Sequence, residues 1–287
     1  MVEYMLGNYL VETGRITKEQ LIDVIDKQDT VRVKLGLLAV SEGMMTAQQA
    51  EEIGLLQAAQ DKRFGDIAVE VGYLTQDQVG RLLKKQGGTY LSFMQNLMDE
   101  DLIDMDEIDL LVNDFKNAYN YSNSDFEAIK SDEVERILPF LLPEEAEEYQ
   151  ELICMVVRMI IRQIDRHMYL GQGVMVDTFP EEALALQKME GEGGLVDCFS
   201  ERNGALLKLC SVYGQEEFGS LNLDALDAAG ELLNCSNGMY LADLSKMGRT
   251  LELMPPEYAA PTGVADICRI PMFIGGQGLY FTVGRLV

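Results

Sequence analysis

The sequence predicts an α+β protein, an all-helical repeat domain followed by a domain of two long helices packed on an antiparallel sheet. Three observations predict it. A motif recurs every 29 residues through the first 88 residues. Two long segments in the second half carry apolar residues at helical period. Short apolar runs bounded by glycine and proline lie between and after them, and this mixture marks an α+β domain.

The repeats come first. Leu6-Gly7, Leu35-Gly36 and Phe64-Gly65 occupy matching positions. So do Gly14, Gly43 and Gly72, then Thr17, Thr46 and Thr75, then Gln28, Gln57 and Gln86. Within each unit the logic is helix, turn, helix. The glycine stops the first helix. The threonine caps the second, and the glutamine three residues on (Gln20, Gln49 or Gln78) completes a capping box. A unit this small cannot bury its own apolar face, so the units should pack on one another.

Residues 89–141 read as an acidic, helical connector. Seventeen acidic and three basic residues fall within 89–150. "DEDLIDMDEIDLL" has the charge of a calcium loop without its ligand spacing, and reads as a solvated helix face. "YNYSNSD" is a turn or hinge. Residues 142–287 form the second domain. Pro143-Glu144-Glu145 opens a long helix that should run to about Met168. "GVMVDTF", "ALALQKME" and "GGLVDCFS" read as strands and "GALLKLCSVYG" as a short helix. A second long helix over Leu221 to Met247 follows, then strands in "RTLELMP", "DICRIPMFI" and "GLYFTVGRLV". The last is strongly apolar and suits a sheet edge.

Composition narrows the function. The 287 residues carry a net charge of −25, and no basic footprint for nucleic acid is visible. The five cysteines form no C-x-x-C pair and most sit among apolar residues, as buried free thiols in a reducing compartment do. No signal peptide opens the chain. The most apolar run, Leu152 to Ile164, is interrupted by Arg158 and Arg162 and is too short to span a bilayer. A soluble cytoplasmic protein is expected, with no membrane insertion. The single histidine, His167, follows Arg166 at a helix end and excludes a histidine-based metal cluster. The pieces "GQG", "GEGG" and "GGQG" fit strand turns rather than a phosphate loop. No metal site is expected.

The helix over Leu221 to Met247 is the candidate site. Asp227, Glu231, Asn234 and Gly238 are spaced to lie along one stripe of it. Leu223, Leu226, Gly230, Leu233, Leu241 and Leu244 make the opposite, core-facing stripe. Glycine inside a helix costs about 1 kcal/mol against alanine, so Gly230 and Gly238 need a reason. Tight packing against the other long helix would explain Gly230. Close approach of another backbone would explain Gly238.

The segment "DALDAAGELLNCSNGMYLADLSKMGRTLELMPP" resembles the active helix of the CheC/CheX/FliY family of chemotaxis phosphatases. That family shows Asp or Ser, three residues, Glu, two residues, Asn, and a Pro-containing strand about twenty residues on. Asp227, Glu231, Asn234 and Pro255-Pro256 stand at these positions. Gly238 and Gly248 match the CheX pattern, and a single acid–amide helix is similar to CheX rather than two-site CheC. The resemblance implies a CheX-like domain over 142–287. It also implies hydrolysis of the aspartyl phosphate of a CheY-like receiver in two-component signalling. The receiver would supply Mg²⁺, a lysine and its acidic pocket. Asn234 would hold the attacking water, since an uncharged amide orients it without repelling the phosphoryl oxygens. Glu231 would pair with the receiver's lysine, and Asp227 and Gly238 would support the partner contact. A homodimer is the expected assembly. The alternative is a non-catalytic adaptor, receiver-binding or responsive to cyclic di-GMP, in chemotaxis, motility or pilus regulation.

The repeats resemble the MshEN-type N-terminal domain of type II secretion and pilus ATPases, which binds cyclic di-GMP through paired motifs. That family opens each motif with Arg before Leu-Gly. Here those positions hold Met5, Lys34 and Arg63, and lysine lacks the planar guanidinium fork. Lys34 and Arg63 are the candidate nucleotide-binding residues. A protein-docking or dimerising module is the other reading, and either could regulate the second domain.

Overall fold

Each 29-residue repeat folds into two helices joined by a glycine turn. The pairs are α1 (Val2–Glu12) with α2 (Lys18–Asp26), α3 (Leu35–Ser41) with α4 (Ala47–Gln60), and α5 (Phe64–Val71) with α6 (Gln76–Lys84). Gly14, Gly43 and Gly72 take φ of +71°, +64° and +87°, left-handed stops that any side chain would strain. Thr17 and Thr75 form capping boxes with Gln20 and Gln78. Thr46 and Gln49 exchange the same two bonds, at 2.9 and 3.2 Å. The second and third repeats share one core, in which Leu38 and Ile53 meet Ile67, Leu74 and Leu82. The computed structural model describes residues 1–27, 31–60, 62–85, 88–181 and 184–287. Gln28 and Gln86 of the repeat pattern lie outside the described residues.

By contact the chain divides into a unit of Val2–Asp132 and a unit of Glu133–Val287. The stretch expected as a connector is therefore split. Its part up to Asp132 belongs to the repeat unit, as α7 (Thr89–Asp99), α8 (Ile108–Tyr119) and α9 (Asn123–Ser131). Phe93, Met94 and Leu97 of α7 are fully buried, and Asn96 donates a 2.9 Å bond to the Val24 carbonyl. The acids at 99–101 face solvent. Sequence charge marked the outside of α7 and hid its apolar inside.

The second unit starts with α10 (Val134–Leu141), a 3₁₀ turn at Glu144–Tyr149, and α11 (Gln150–Gln163). The helix expected from Pro143 to about Met168 thus opens as 3₁₀ and closes at Gln163. The strands are β1 (Tyr169–Leu170), β2 (Val174–Val176), β3 (Leu184–Glu190), β4 (Leu195–Glu201), β5 (Glu252–Leu253), β6 (Val264–Ile274) and β7 (Gln277–Leu286). Helices α12 (Ala205–Gly214) and α13 (Leu223–Lys246) come between β4 and β5. The sheet is antiparallel throughout, in the order β1-β6-β7-β4-β3-β5, with β2 also paired to β6. Two long helices and an antiparallel sheet make this unit α+β.

The sheet corrects one expectation. β7, expected as an exposed edge, is flanked on both sides, by β4 and β6. Its apolar character reflects an interior strand with Leu279, Phe281 and Val283 fully buried. Among the described residues the free edges belong to β5 and to β1 with β2. Any edge-to-edge dimer has to use one of those.

Strand register brings two polar side chains together inside the sheet. Gln187 of β3 sits directly across from Asp197 of β4, and Asp197 from Val283 of β7. Both Gln187 and Asp197 are 0% exposed. Helix α13 packs against β3 and β4, and also against α11 and α12.

Candidate functional site

Helix α13 is capped by Asn222, whose Oδ1 accepts a 2.9 Å bond from the Ala225 N–H. That cap satisfies one of the free donors at a helix start. Its buried face includes Leu226, Gly230, Leu233 and Leu244, as the apolar stripe predicts, together with Ala225, Ala229, Leu232, Ser236, Asn237 and Tyr240. Two members of the expected stripe depart from it. Leu223, the first residue of the helix, is 67% exposed, and Leu241 is half-buried. On the other side Asp227 and Glu231 are exposed, and Asn234 and Gly238 are half-buried. The predicted polar stripe is therefore continuous and outward-facing.

Each member of that stripe has a different environment. The Tyr258 hydroxyl donates to Asp227 Oδ1 at 2.7 Å. Glu231 makes no hydrogen bond or ion pair among the described residues. Gln187 Nε2 donates to Asn234 Oδ1 at 2.9 Å. A Cβ at Gly238 would meet nothing within 4 Å, so that position is an open notch and no backbone of this unit fills it. Burial first, then the bond to Asp227, pushes the Tyr258 hydroxyl up to about 12. Burial and the neighbouring Cys235 do the same for Tyr213, whose hydroxyl donates to Cys235 Sγ at 3.3 Å. Both phenols are thus protonated donors at neutral pH.

The Pro255-Pro256 pair reaches this helix along the sheet edge. β5 pairs with β3, and the Met254 N–H donates to the Lys188 carbonyl at 2.9 Å. Glu257 then exchanges two 2.9 Å bonds with Leu186. The two prolines fall between these bonds, where a missing N–H is tolerated on an edge. Pro256 lies on Gly230, where an added Cβ would stand 2.9 Å from Pro256 Cβ and 3.4 Å from Tyr258 Oη. Gly230 therefore exists for the proline segment, and the expectation that it packs on the other long helix is corrected.

Beneath the stripe lies a row of buried polar groups that sequence reasoning missed. Gln187 Nε2 also donates to the Met254 carbonyl at 2.8 Å, and Gln187 Oε1 accepts from Asn237 Nδ2 at 3.0 Å. Asn237 Nδ2 donates in turn to Asp197 Oδ1 at 3.0 Å. Burial raises the Asp197 carboxyl to about 7, with the Asn237 bond opposing. Asp197 Oδ2 and Asn237 Oδ1 have no partner among the described residues. One signal was available: Asn237 is an amide on the apolar face of α13, and Gln187 an amide in the apolar run "ALALQKME".

The candidate residues of the repeat unit differ in their surroundings. Lys34 lines a cavity of about 890 Å³ with Arg32, Gln57, Lys85 and Gln95. Its ammonium is 2.6 Å from Asp99 Oδ1, and its backbone N–H donates to Gln95 Oε1. Arg63 is exposed and does not line that cavity. Both residues precede a helix by one position, Lys34 before α3 and Arg63 before α5. Among the described residues no cluster of three or more His, Cys, Asp or Glu is arranged to hold a metal. No helix among them is long and apolar enough to cross a membrane.

No family model matches the chain, and no curated protein matches it. Several solved structures are similar to about half of it. The chemotaxis protein CheX from Desulfovibrio desulfuricans is 15% identical, with 48% of this chain and 99% of that chain covered and a TM-score of 0.41. A chain of a CheX–CheY–BeF3–Mg complex from Borrelia burgdorferi is 10% identical, with 47% of this chain and 96% of that chain covered and a TM-score of 0.39. FliY from Thermotoga maritima is 18% identical, covering 49% and 89% at 0.35. At such identities and scores these remain similarities, and the function of this chain has to come from its own residues.

Proposed function

We propose that the second unit hydrolyses the aspartyl phosphate of a CheY-like receiver, with the outward stripe of α13 as its half of the active site. The observation that carries this reading is the pairing of a free carboxylate with a held amide. Glu231 is exposed and unpaired among the described residues, and one turn away Asn234 is anchored from below by a buried glutamine. A solvated helix face does not need a buried amide to fix one of its side chains. The sequence resemblance of Asp227, Glu231, Asn234 and Pro255-Pro256 to the phosphatase helix supports the same assignment.

In this reading Glu231 meets the receiver's lysine and sets the register, and Asp227 supports the contact with Tyr258 behind it. Asn234 holds a water in line with the phosphorus. The water oxygen bonds to phosphorus as the bond from phosphorus to the aspartyl oxygen breaks. The aspartate leaves as carboxylate, and the water's proton goes to phosphate and solvent. Orientation is the chain's contribution, as in other phosphoryl transfers where a side-chain amide places the water. Mg²⁺ would be the receiver's. Binding a phosphorylated receiver without hydrolysis is the alternative, and the same stripe would serve it.

The test is loss of phosphate from a panel of CheY-like receivers of the same organism, with wild type, Glu231→Ala and Asn234→Ala. Acceleration by wild type that is lost in Asn234→Ala supports the enzyme. Saturable binding with no acceleration supports the adaptor. For the repeat unit, the cavity beside Lys34 favours a ligand, and cyclic di-GMP is the proposed one. Titration against wild type, Lys34→Ala and Arg63→Ala decides it, since absence of saturable binding leaves a protein-docking module.

A further inference from the structure

We propose that Gln187 is a positioning residue that locks the Asn234 amide with its oxygen inward and its NH2 outward, toward the partner. This deepens the reading above and rests on Asn234 being a residue of the site. The two ends of a side-chain amide are alike in size and shape, so hydrogen-bond partners decide which way each one points. Here the decision starts from a group that cannot turn. The Met254 carbonyl is a backbone acceptor, fixed by the bond of its own residue's N–H to the Lys188 carbonyl. It accepts from Gln187 at 2.8 Å, so the end of Gln187 that faces it must be the NH2.

Each further link is then forced. The second hydrogen of that NH2 points at Asn234 at 2.9 Å, so the end of Asn234 that faces inward must be the oxygen. The Asn234 NH2 is then left for the outside. In the other direction Gln187 Oε1 needs a donor, and Asn237 supplies its NH2 at 3.0 Å. The remaining hydrogen of Asn237 goes to Asp197 Oδ1 at 3.0 Å, which accepts it whether or not the carboxyl is charged. Reversing any one amide would set donor against donor or acceptor against acceptor where water does not reach, since Gln187, Asn237 and Asp197 are all 0% exposed. The row is also rigidly carried. Gln187 and Asp197 are cross-strand neighbours, and Asn234 and Asn237 are one turn apart on α13.

The consequence is chemical. An Asn234 free to rotate would offer its oxygen or its nitrogen with equal ease. The locked one offers two N–H donors, with one lone pair of its oxygen already used. A water or phosphoryl oxygen of the partner therefore meets a donor in a single orientation, without a reorganisation step at the moment of reaction.

The test uses the full chain and the isosteric Gln187→Met. With a phosphorylated receiver, kcat should fall on the order of 10- to 100-fold while KM stays within about twofold, because the substituted side chain is buried and touches no partner. An unchanged kcat in a folded variant overturns the proposal. A second measurement needs no partner. The Asn234 side-chain NH2 signals are assigned by their loss in Asn234→Asp, and their ¹⁵N relaxation and solvent exchange are recorded. Wild type should show a rigid Asn234 NH2 that exchanges readily, beside a protected Gln187 NH2. In Gln187→Met the Asn234 NH2 should become mobile. A protected or already mobile Asn234 NH2 in wild type overturns the lock. A wild type that accelerates no receiver removes the phosphatase reading and leaves the relaxation result to decide the orientation by itself.

Discussion

The recurring polar residues of the repeat unit and the buried polar row of the sheet unit find their partners in opposite ways. In the repeat unit the recurring polar residues close loops with their own neighbours. Thr17 with Gln20, Thr46 with Gln49 and Thr75 with Gln78 each bond across three residues at the surface. In the sheet unit Gln187, Asp197 and Asn237 have no such local partners. They come from two strands and a helix, 40 and 50 residues apart along the chain, and meet out of reach of water. The difference separates two kinds of polar pattern. Polar spacing that local bonds satisfy builds helices. Polar groups bonded only at long range, beneath a half-buried amide, are proposed to position that amide.

The largest effect that distinguishes the two should come from pH. The folded-state value of the Asp197 carboxyl, about 7, lies above its ordinary value of 3.8, so folding favours its protonated form. Its stabilising contribution is complete below the ordinary value and is lost as pH rises through about 7. The unfolding free energy of wild type relative to Asp197→Asn, from urea titrations, should fall between pH 4 and 8, by up to about 4 kcal/mol. A constant difference would show that the carboxyl is not held in this way. Next comes Asn237→Leu, which strands Gln187 Oε1 and Asp197 Oδ1 and should cost about 2–4 kcal/mol. A loss below about 1 kcal/mol in urea unfolding would mean that the row is not a coupled network.

Gly230→Val should cost about 1–3 kcal/mol, because its side chain meets Pro256. It should also move the Pro255-Pro256 segment, which chemical shifts of Tyr258 would report. Smallest are the caps. Thr17→Ala, Thr46→Ala and Thr75→Ala should each cost about 1 kcal/mol in thermal unfolding, with equal values if the repeats are physically equivalent. A much larger loss at one of them would show that its threonine does more than cap.

Legibility from sequence divides along the same line. The repeat helices, their glycine stops and their caps were legible because each depends on residues three or four apart. The strands were legible too, apart from the two-residue β1. The outward stripe was visible because helical period alone puts Asp227, Glu231, Asn234 and Gly238 on one side. Three things were hidden. The role of Gly230 depends on Pro256, which arrives through sheet pairing 26 positions later. The interior place of β7 depends on strand order, and its apolar residues fit an edge dimer and an interior strand equally well. The row under Asn234 depends on the Gln187–Asp197 register, which no local pattern announces.

In the proposed reaction Asn234 places the water for a receiver's phosphate, and this role is open to a direct test. It is tested most directly by single-turnover loss of phosphate from a phosphorylated CheY-like receiver that binds the chain, with wild type or Asn234→Ala at saturating concentration. Wild type should accelerate the decay, and Asn234→Ala should return it to the receiver's own rate, a loss of about 100-fold or more, with binding retained. Equal acceleration by both proteins would contradict it.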